Sequence, residues 1–151
     1  MPRLSIFLPA MLCAAAVSAP AAAQRAAPDP LRAQVDALTR RMPAGVSLLR
    51  APWTGALAQG AHADVRVRLR AGRTYQLVPF CDRDCTGVDL RMYDAAGAEL
   101  AHAGDEDDIP ILSVTPARSA RYRLRVIMLG CSAAPCRWDV AMYGRRPGGG
   151  R

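Results

Sequence analysis

The segment from Val65 to Arg70, VRVRLR, alternates strictly between apolar residues and arginine. Because successive side chains of a β-strand point to opposite faces of the sheet, this alternation predicts a strand with one buried and one solvent-facing side. The segment VDLRMYD shows the same period, with Val88, Leu90 and Met92 as its apolar members. These patterns favour a mainly β fold.

Further short strands are predicted between turns rich in Gly, Pro, Asp and Ser, with no helical pattern between them. They are YQLVPFC, residues 99–102, IPILSV, YRLRVIML and RWDVAMYG. About eight short strands at this spacing are typical of an antiparallel β-sandwich or jelly roll. We therefore predict one sandwich domain over residues 46–143, with Trp53 and Trp138 in its core, and a disordered tail over residues 144–151.

A linker and one amphipathic helix are predicted in residues 24–45, before the sandwich. Asp29 suits a helix N-cap, and Pro30 suits the first helical position. The apolar residues of DPLRAQVDALTRRM recur on one helical stripe, formed by Leu31, Val35, Leu38 and Met42. A helix over about residues 30–42 with one narrow apolar stripe needs a partner surface, either its own sandwich or another protein.

Residues 1–23 have the layout of a secretory signal peptide, with Arg3 first, an apolar stretch next and a run of small residues before Gln24. The apolar stretch is shorter than the ~20 residues that a membrane span needs. Cleavage before Gln24 also removes Cys13. We expect a periplasmic or secreted mature chain with no membrane span and no nucleic-acid partner.

Four cysteines remain after this cleavage, in two local pairs: Cys81 with Cys85, and Cys131 with Cys136. An even count in an exported protein indicates disulfides. The spacings C-x3-C and C-x4-C, with no nearby histidine, fit neither a zinc site nor a thioredoxin-type motif. We expect local pairing, since it needs only tight turns. Crossed pairing is the alternative, because both pairs follow strands that could end at one edge.

Arginine supplies all the positive side-chain charge other than that of histidine, since the chain contains no lysine. Two predicted strands carry arginine at alternate positions, namely Arg66, Arg68, Arg70, Arg121, Arg123 and Arg125. If the two strands are neighbours, these side chains form an anion-binding face. The alternative is a solvated polar face in which Asp89, Asp139 or Glu99 interleave, because like charges directly opposite one another are destabilising.

The acidic segment GDEDD is the candidate metal site, with Asp105, Glu106, Asp107 and Asp108 as its ligands. Calcium takes about six to eight hard oxygen ligands, and a flexible acidic loop can supply several of them. Asp82, Asp84 and Asp94 could add further ligands if their loops meet this one. The spacing is not the EF-hand pattern, and the alternative is a solvated turn whose charges discourage edge pairing.

The sequence gives little support for catalysis. His62 and His102 are the only histidines, and no nucleophile elbow, phosphate loop or HExxH motif is present. A triad of His102, Asp105 and Ser113 is conceivable, but a surface histidine is the simpler interpretation. We therefore predict that the protein is not an enzyme and, calcium apart, has no cofactor.

Residues 55–143 contain a frame of short motifs. They are a G-x-x-Y strand from Gly72 to Tyr75, a D-L-x-x-Y-D strand from Asp89 to Asp94, a turn at Gly97, an acidic loop and a closing strand from Tyr122 to Val126. In this frame the chain resembles bacterial pre-peptidase C-terminal (PPC) domains, and is most similar to small stand-alone periplasmic versions that have no assigned activity. The resemblance implies a β-sandwich that serves as an accessory or binding module, and some relatives bind calcium or extracellular polymers such as collagen.

Together these features predict an exported, disulfide-stapled and non-catalytic binding or interaction module. Its partner is expected to be an unidentified protein or a cell-envelope polymer. The alternative is a calcium-dependent module that binds an extracellular polymer, either a polysaccharide or a protein. A hydrolase with an unrecognised site is the third interpretation.

Overall fold

The computed structural model describes residues 29–103 and 110–146. The predicted signal peptide, the first residues of the predicted linker, the acidic segment from Asp105 to Asp108 and residues 147–151 lie outside the described residues.

Within the described residues, one helix, α1 (Pro30–Arg41), precedes nine strands. The strands are β1 (Val46–Leu48), β2 (Trp53–Leu57), β3 (His62–Leu69), β4 (Tyr75–Cys81), β5 (Cys85–Tyr93), β6 (Glu99–Ala103), β7 (Leu112–Val114), β8 (Ala120–Cys131) and β9 (Cys136–Arg145). No helix of the described residues is long and apolar enough to span a bilayer.

The strands form two antiparallel sheets, which confirms the predicted β-sandwich. Sheet A has the order β1-β9-β4-β7, with β2 also paired to β9, and sheet B has the order β3-β8-β5-β6. The described residues contain nine strands, against about eight predicted. Strands β1 and β2 are not among the seven segments named from the sequence, and they pair with successive parts of β9. Strand β9 continues to Arg145, two residues beyond the predicted end of the domain at Tyr143.

The inward-facing residues of both sheets form the main core. Its fully buried members include Leu69, Leu77, Leu90, Met92, Leu112, Leu124, Val126, Met128 and Val140. Trp138 is buried in this core as predicted, whereas Trp53 is half-buried at its margin beneath the guanidinium of Arg50. Gly55 lies opposite Trp138, and a Cβ at Gly55 would come within 2.5 Å of the indole ring. This close approach requires glycine.

Helix α1 docks on the outer face of sheet A, so its partner surface is its own sandwich. Asp29 caps the helix by accepting a hydrogen bond from the backbone N–H of Leu31 at 3.1 Å. Val35 is fully buried against the second apolar cluster, which contains Val78, Ala141 and Tyr143. The predicted apolar stripe of the helix is the surface that makes this contact.

The sandwich has two distinct ends. The disulfide end carries the turns at residues 58–61, 82–84 and 132–135, and the arginine end carries the turns at residues 70–74, 94–98 and 115–119. At the disulfide end, Cys81 is bonded to Cys85 and Cys131 to Cys136. These are the local pairs that we expected, and each one joins a strand of sheet A to a strand of sheet B.

Candidate functional site

Strands β3 and β8 are direct neighbours in sheet B, which is the condition that a shared arginine face requires. In their register, Arg66 pairs with Arg123, Arg68 pairs with Arg121, and Asp64 pairs with Arg125. The side chains at these positions point away from the core because the alternate positions of both strands are buried.

The outward residues of sheet B form a surface that we call the arginine face. It is open to solvent except at the buried Asp89, and its charged strand residues are six arginines and three acids. The arginines are Arg66, Arg68, Arg91, Arg121, Arg123 and Arg125, and the acids are Asp64, Asp89 and Glu99. The face is therefore positively charged, and its charges are distributed unevenly.

Asp64 neutralises one half of the arginine face. Its two carboxylate oxygens lie 2.8 Å from Arg125 Nε and 3.2 Å from Arg123 Nη1. The hydrogen bonds from Arg125, followed by those from Arg123, lower the pKa of Asp64 to about 2. The ring of Tyr93 completes this cluster, with the Arg123 guanidinium 4.5 Å from its centroid.

The predicted interleaving acids are only partly on this face. Arg91 Nε donates to Asp89 at 3.0 Å, and Arg91 Nη1 lies 3.7 Å from Glu99. Asp139 instead lies buried on β9, on the outer side of sheet A that α1 covers. The sequence reasoning missed Asp64, although its place two residues before Arg66 in the alternating segment puts it on the same face.

Three arginines at the other half of the face make no ion pair with any acid among the described residues: Arg66, Arg68 and Arg121. Arg70, which was predicted on this face, instead lies just beyond the end of β3 in the turn to β4, and it makes no such ion pair either. Two like-charged pairs lie directly across from one another, Arg66 with Arg123 and Arg68 with Arg121. Side chains at such positions are about 5 Å apart at Cβ, and like charges there destabilise a sheet. An anion bound between them would relieve this repulsion.

The structure separates the carboxylates that could have joined the predicted calcium loop. Asp84 and Asp94 lie at opposite ends of β5, a strand of nine residues that spans about 26 Å. Asp82 accepts a hydrogen bond from the backbone N–H of Arg137 at 2.7 Å, and Asp94 accepts two from its own turn. The parts of the chain that the structure describes contain no cluster of three or more metal-ligating side chains. Calcium binding by residues 105–108 stays a prediction.

The two residues of the conceivable triad that the structure describes are not brought together. His102 is on the outer face of sheet B, where its Nδ1 lies 3.2 Å from Glu99 Oε1. Ser113 is on β7, exposed on the outer face of sheet A. His62 is exposed on the arginine face. All four described cysteines are in disulfides, so none of them is a thiolate ligand or a redox thiol.

The chain matches no protein-family model and no curated protein.

Proposed function

We propose that this protein is an exported, non-catalytic binding module whose partner is an anionic polymer of the cell envelope. One observation carries this proposal: β3 and β8 place arginines directly opposite one another on an open face, and the described acids leave three of them, Arg66, Arg68 and Arg121, unneutralised. Arginine presents a planar fork of donors that matches carboxylate, phosphate and sulfate groups.

The shape of the site supports an extended partner. The arginine face is a sheet surface rather than a deep pocket, and its cations follow two strands over several residues. Repeated weak contacts along a polymer sum to a useful affinity, whereas a single small anion would gain little from a solvent-screened arginine.

The periplasm is the compartment that we propose for this binding function. The two disulfides fit an oxidising compartment outside the cytoplasm. The predicted signal peptide and the resemblance to stand-alone PPC domains support the same compartment and the same non-catalytic role. The residues on which that resemblance is based lie in strands and turns, and Gly72 and Gly97 adopt positive φ in two tight turns.

Binding to defined polysaccharides tests the proposal. We expect the protein to bind dextran sulfate and polygalacturonate but not neutral dextran, with an affinity that falls as salt increases because the contacts are electrostatic. The double variant Arg66→Gln/Arg121→Gln should bind about tenfold more weakly. Isothermal titration calorimetry at several salt concentrations measures both effects.

A charge-matched control distinguishes the loss of the proposed site from the loss of net positive charge. The double variant Arg40→Gln/Arg83→Gln removes two exposed arginines, one in α1 and one at the disulfide end. We expect it to bind dextran sulfate within about twofold of the original protein, allowing for long-range screening. Equal losses in the two double variants, or no binding to either anionic polymer, would contradict the proposal.

A further inference from the structure

A cleft of about 460 Å³ lies at the arginine end, where the edge strand β3 of sheet B faces sheet A. Four arginines line it, namely Arg68, Arg70, Arg73 and Arg146. Its apolar lining comes from the half-buried Leu49, with the buried side chains of Tyr75 and Met142 beneath it. We call it the basic cleft.

Two of the four arginines are held in place by neutral oxygen atoms. Arg73 donates from Nη2 to the backbone carbonyl of Arg145, and its guanidinium lies 5.7 Å from the centroid of the Tyr75 ring. Arg146 donates from Nε to the hydroxyl of Ser47 at 3.0 Å. These contacts fix the side chains without cancelling their charge, so their positions are partly set before an anion arrives.

The other two arginines are free to turn towards an anion. The side chains of Arg68 and Arg70 make no hydrogen bond or ion pair with another residue that the structure describes. The backbone of Arg68 belongs to the β3–β8 pair, and the backbone N–H of Arg70 donates to the hydroxyl of Tyr75 at 3.0 Å. No acidic side chain lines the cleft. Four arginines without a described counter-charge therefore line one shallow cleft.

The basic cleft continues onto the arginine face. A second cleft, of about 360 Å³, shares Arg68 and Arg70 with it and is bordered on its other side by Arg121. A ligand in the basic cleft therefore sits at the end of the strip of unneutralised arginines. This continuity places the cleft where an anionic chain bound along the sheet would end.

The charge and lining of the cleft indicate the chemistry of its ligand. A phosphate monoester carries a charge of about −1.5 to −2 at neutral pH and has three terminal oxygens that accept hydrogen bonds. It can therefore engage several guanidinium forks at once, which a single carboxylate does less well. The apolar lining adds contact area for a group attached to the phosphate.

We propose that the basic cleft binds a phosphate monoester attached to an apolar body, with Arg68, Arg70, Arg73 and Arg146 around the phosphate and Leu49, Tyr75 and Met142 against the body. The proposal rests on the anion-binding function proposed above and assigns it a specific terminal group. That group can belong to a membrane lipid or to a freely diffusing molecule, because both present the same chemistry.

Phenyl phosphate is the probe that tests the cleft, with inorganic phosphate and phenol as its two halves. In titrations followed by NMR, phenyl phosphate should bind several-fold more tightly than inorganic phosphate, because only the ester reaches the apolar lining. Phenol alone should not bind. The double variant Arg73→Gln/Arg146→Gln should weaken phenyl phosphate binding about tenfold. The control Arg40→Gln/Arg83→Gln should leave it unchanged.

Two outcomes would overturn the cleft proposal. One is phenyl phosphate binding that the Arg73→Gln/Arg146→Gln substitutions leave intact, and the other is inorganic phosphate binding as tightly as the ester. Both are distinguishable from failure of the polymer proposal. Dextran sulfate binding that depends on Arg66 and Arg121, in a protein that does not bind phenyl phosphate, would leave the polymer function standing and remove the cleft ligand.

A vesicle experiment identifies the source of the phosphate monoester. Co-sedimentation with phosphatidylcholine vesicles that contain phosphatidic acid, lost in the Arg73→Gln/Arg146→Gln variant, would assign the cleft to a lipid headgroup. Phenyl phosphate binding without vesicle binding would assign it to a soluble phosphorylated molecule. Each result supports the cleft and selects one of its two ligand sources.

Discussion

The two outer faces of the sandwich are formed by the same antiparallel pairing and carry opposite chemistry. On sheet A the outward residues Val78, Ala141 and Tyr143 are apolar, and α1 covers them. On sheet B the outward positions of β3 and β8 carry mainly arginine, and no described element covers them. Covering one face stabilises the fold, whereas the open face keeps its charges available for a partner.

An acid on each face shows the difference most clearly. On the covered face, burial raises the pKa of Asp139, the Asp29 carboxylate adds to the rise, and Arg137 and Arg32 oppose it. On the open face, the pKa of Asp64 falls to about 2 because Arg125 and Arg123 donate hydrogen bonds to it. Near neutral pH the ionised Asp64 therefore stabilises the open face, whereas an ionised Asp139 destabilises the covered face.

The largest expected effect comes from removing the ring that joins α1 to sheet A. Tyr143 is fully buried, and its hydroxyl lies 3.0 Å from Thr39 Oγ1 and 3.3 Å from the carbonyl oxygen of Val35. Tyr143→Ala should lower the free energy of unfolding by about 4 kcal/mol because it leaves a cavity beneath the helix. Urea denaturation followed by circular dichroism measures the loss.

Tyr143→Phe is the matched control for this variant. It keeps the ring and removes only the hydroxyl contacts, so it should lower the free energy of unfolding by about 1 kcal/mol. If Tyr143→Ala is no more destabilising than Tyr143→Phe, the ring does not contribute to the packing of the covered face.

The second prediction concerns how the sheets that bear the two faces are joined. Replacing Cys131 and Cys136 together by alanine should lower the free energy of unfolding by about 2 kcal/mol, the loop-entropy value for so short a loop. The Cys81–Cys85 disulfide closes a loop of similar length, so replacing both of these cysteines by alanine should lower the free energy of unfolding by a similar amount. A loss of about 4 kcal/mol or more would indicate crossed pairing instead, because the two substitutions would then remove both long-range crosslinks. Peptide mapping under non-reducing conditions checks the pairing.

The third prediction uses the acid of the open face. Asp64→Asn should lower the free energy of unfolding by at most about 1 kcal/mol, since its ion pairs are screened by solvent. It should also raise the affinity for dextran sulfate several-fold, because Arg123 and Arg125 lose their counter-charge. A substitution that weakens the fold while strengthening ligand binding identifies Asp64 as the residue that limits the charge of this face.

The pH dependence of Asp64 follows from the direction of its shift. Because its pKa is lower in the folded state, its contribution to stability is present above the unfolded pKa of about 3.9 and is lost as the pH falls through about 2. Denaturation curves of the original protein and of Asp64→Asn should therefore converge over this range. Curves that stay parallel would show that the ion pairs do not stabilise the fold.

The smallest effect is expected at Asp139, and its sign is opposite. Its raised pKa means that the folded state binds a proton more tightly than the unfolded chain, so stability should increase as the pH falls from neutral through the folded pKa. Asp139→Asn should abolish this increase and change stability at neutral pH by less than about 1 kcal/mol. Urea denaturation at several pH values above the range in which Asp64 titrates measures it. If the free energy of unfolding of the variant still increased with falling pH as in the original protein, Asp139 would not be the group responsible.

Much of the fold could be predicted from the sequence because its signals are local. The alternation in β3, β5 and β8 and the N-cap at Asp29 each depend on neighbours a few residues away. Strands β1 and β2 were not predicted, since they depend on the pairing of both with β9.

The candidate site could be predicted only in part, because it also depends on contacts between distant parts of the chain. The arginines could be identified as an outward set, but the sequence does not state which strands are neighbours. The clustering of Asp64 with Arg125 joins residues 61 positions apart, and the basic cleft joins Leu49 to Arg146. Contacts of this separation depend on chain topology, which no local pattern specifies.

The sequence by itself determined that this chain forms short strands with arginine on one side, a capped amphipathic helix and two closely spaced cysteine pairs. Periodicity, capping and spacing act over a single turn or strand, so they can be read directly from the order of residues. Only the tertiary structure decided that α1 covers sheet A, that β3 and β8 place their arginines opposite one another, and that Arg73 and Arg146 join Arg68 and Arg70 around one cleft. Those arrangements follow from long-range pairing and packing, which depend on burial over the whole domain.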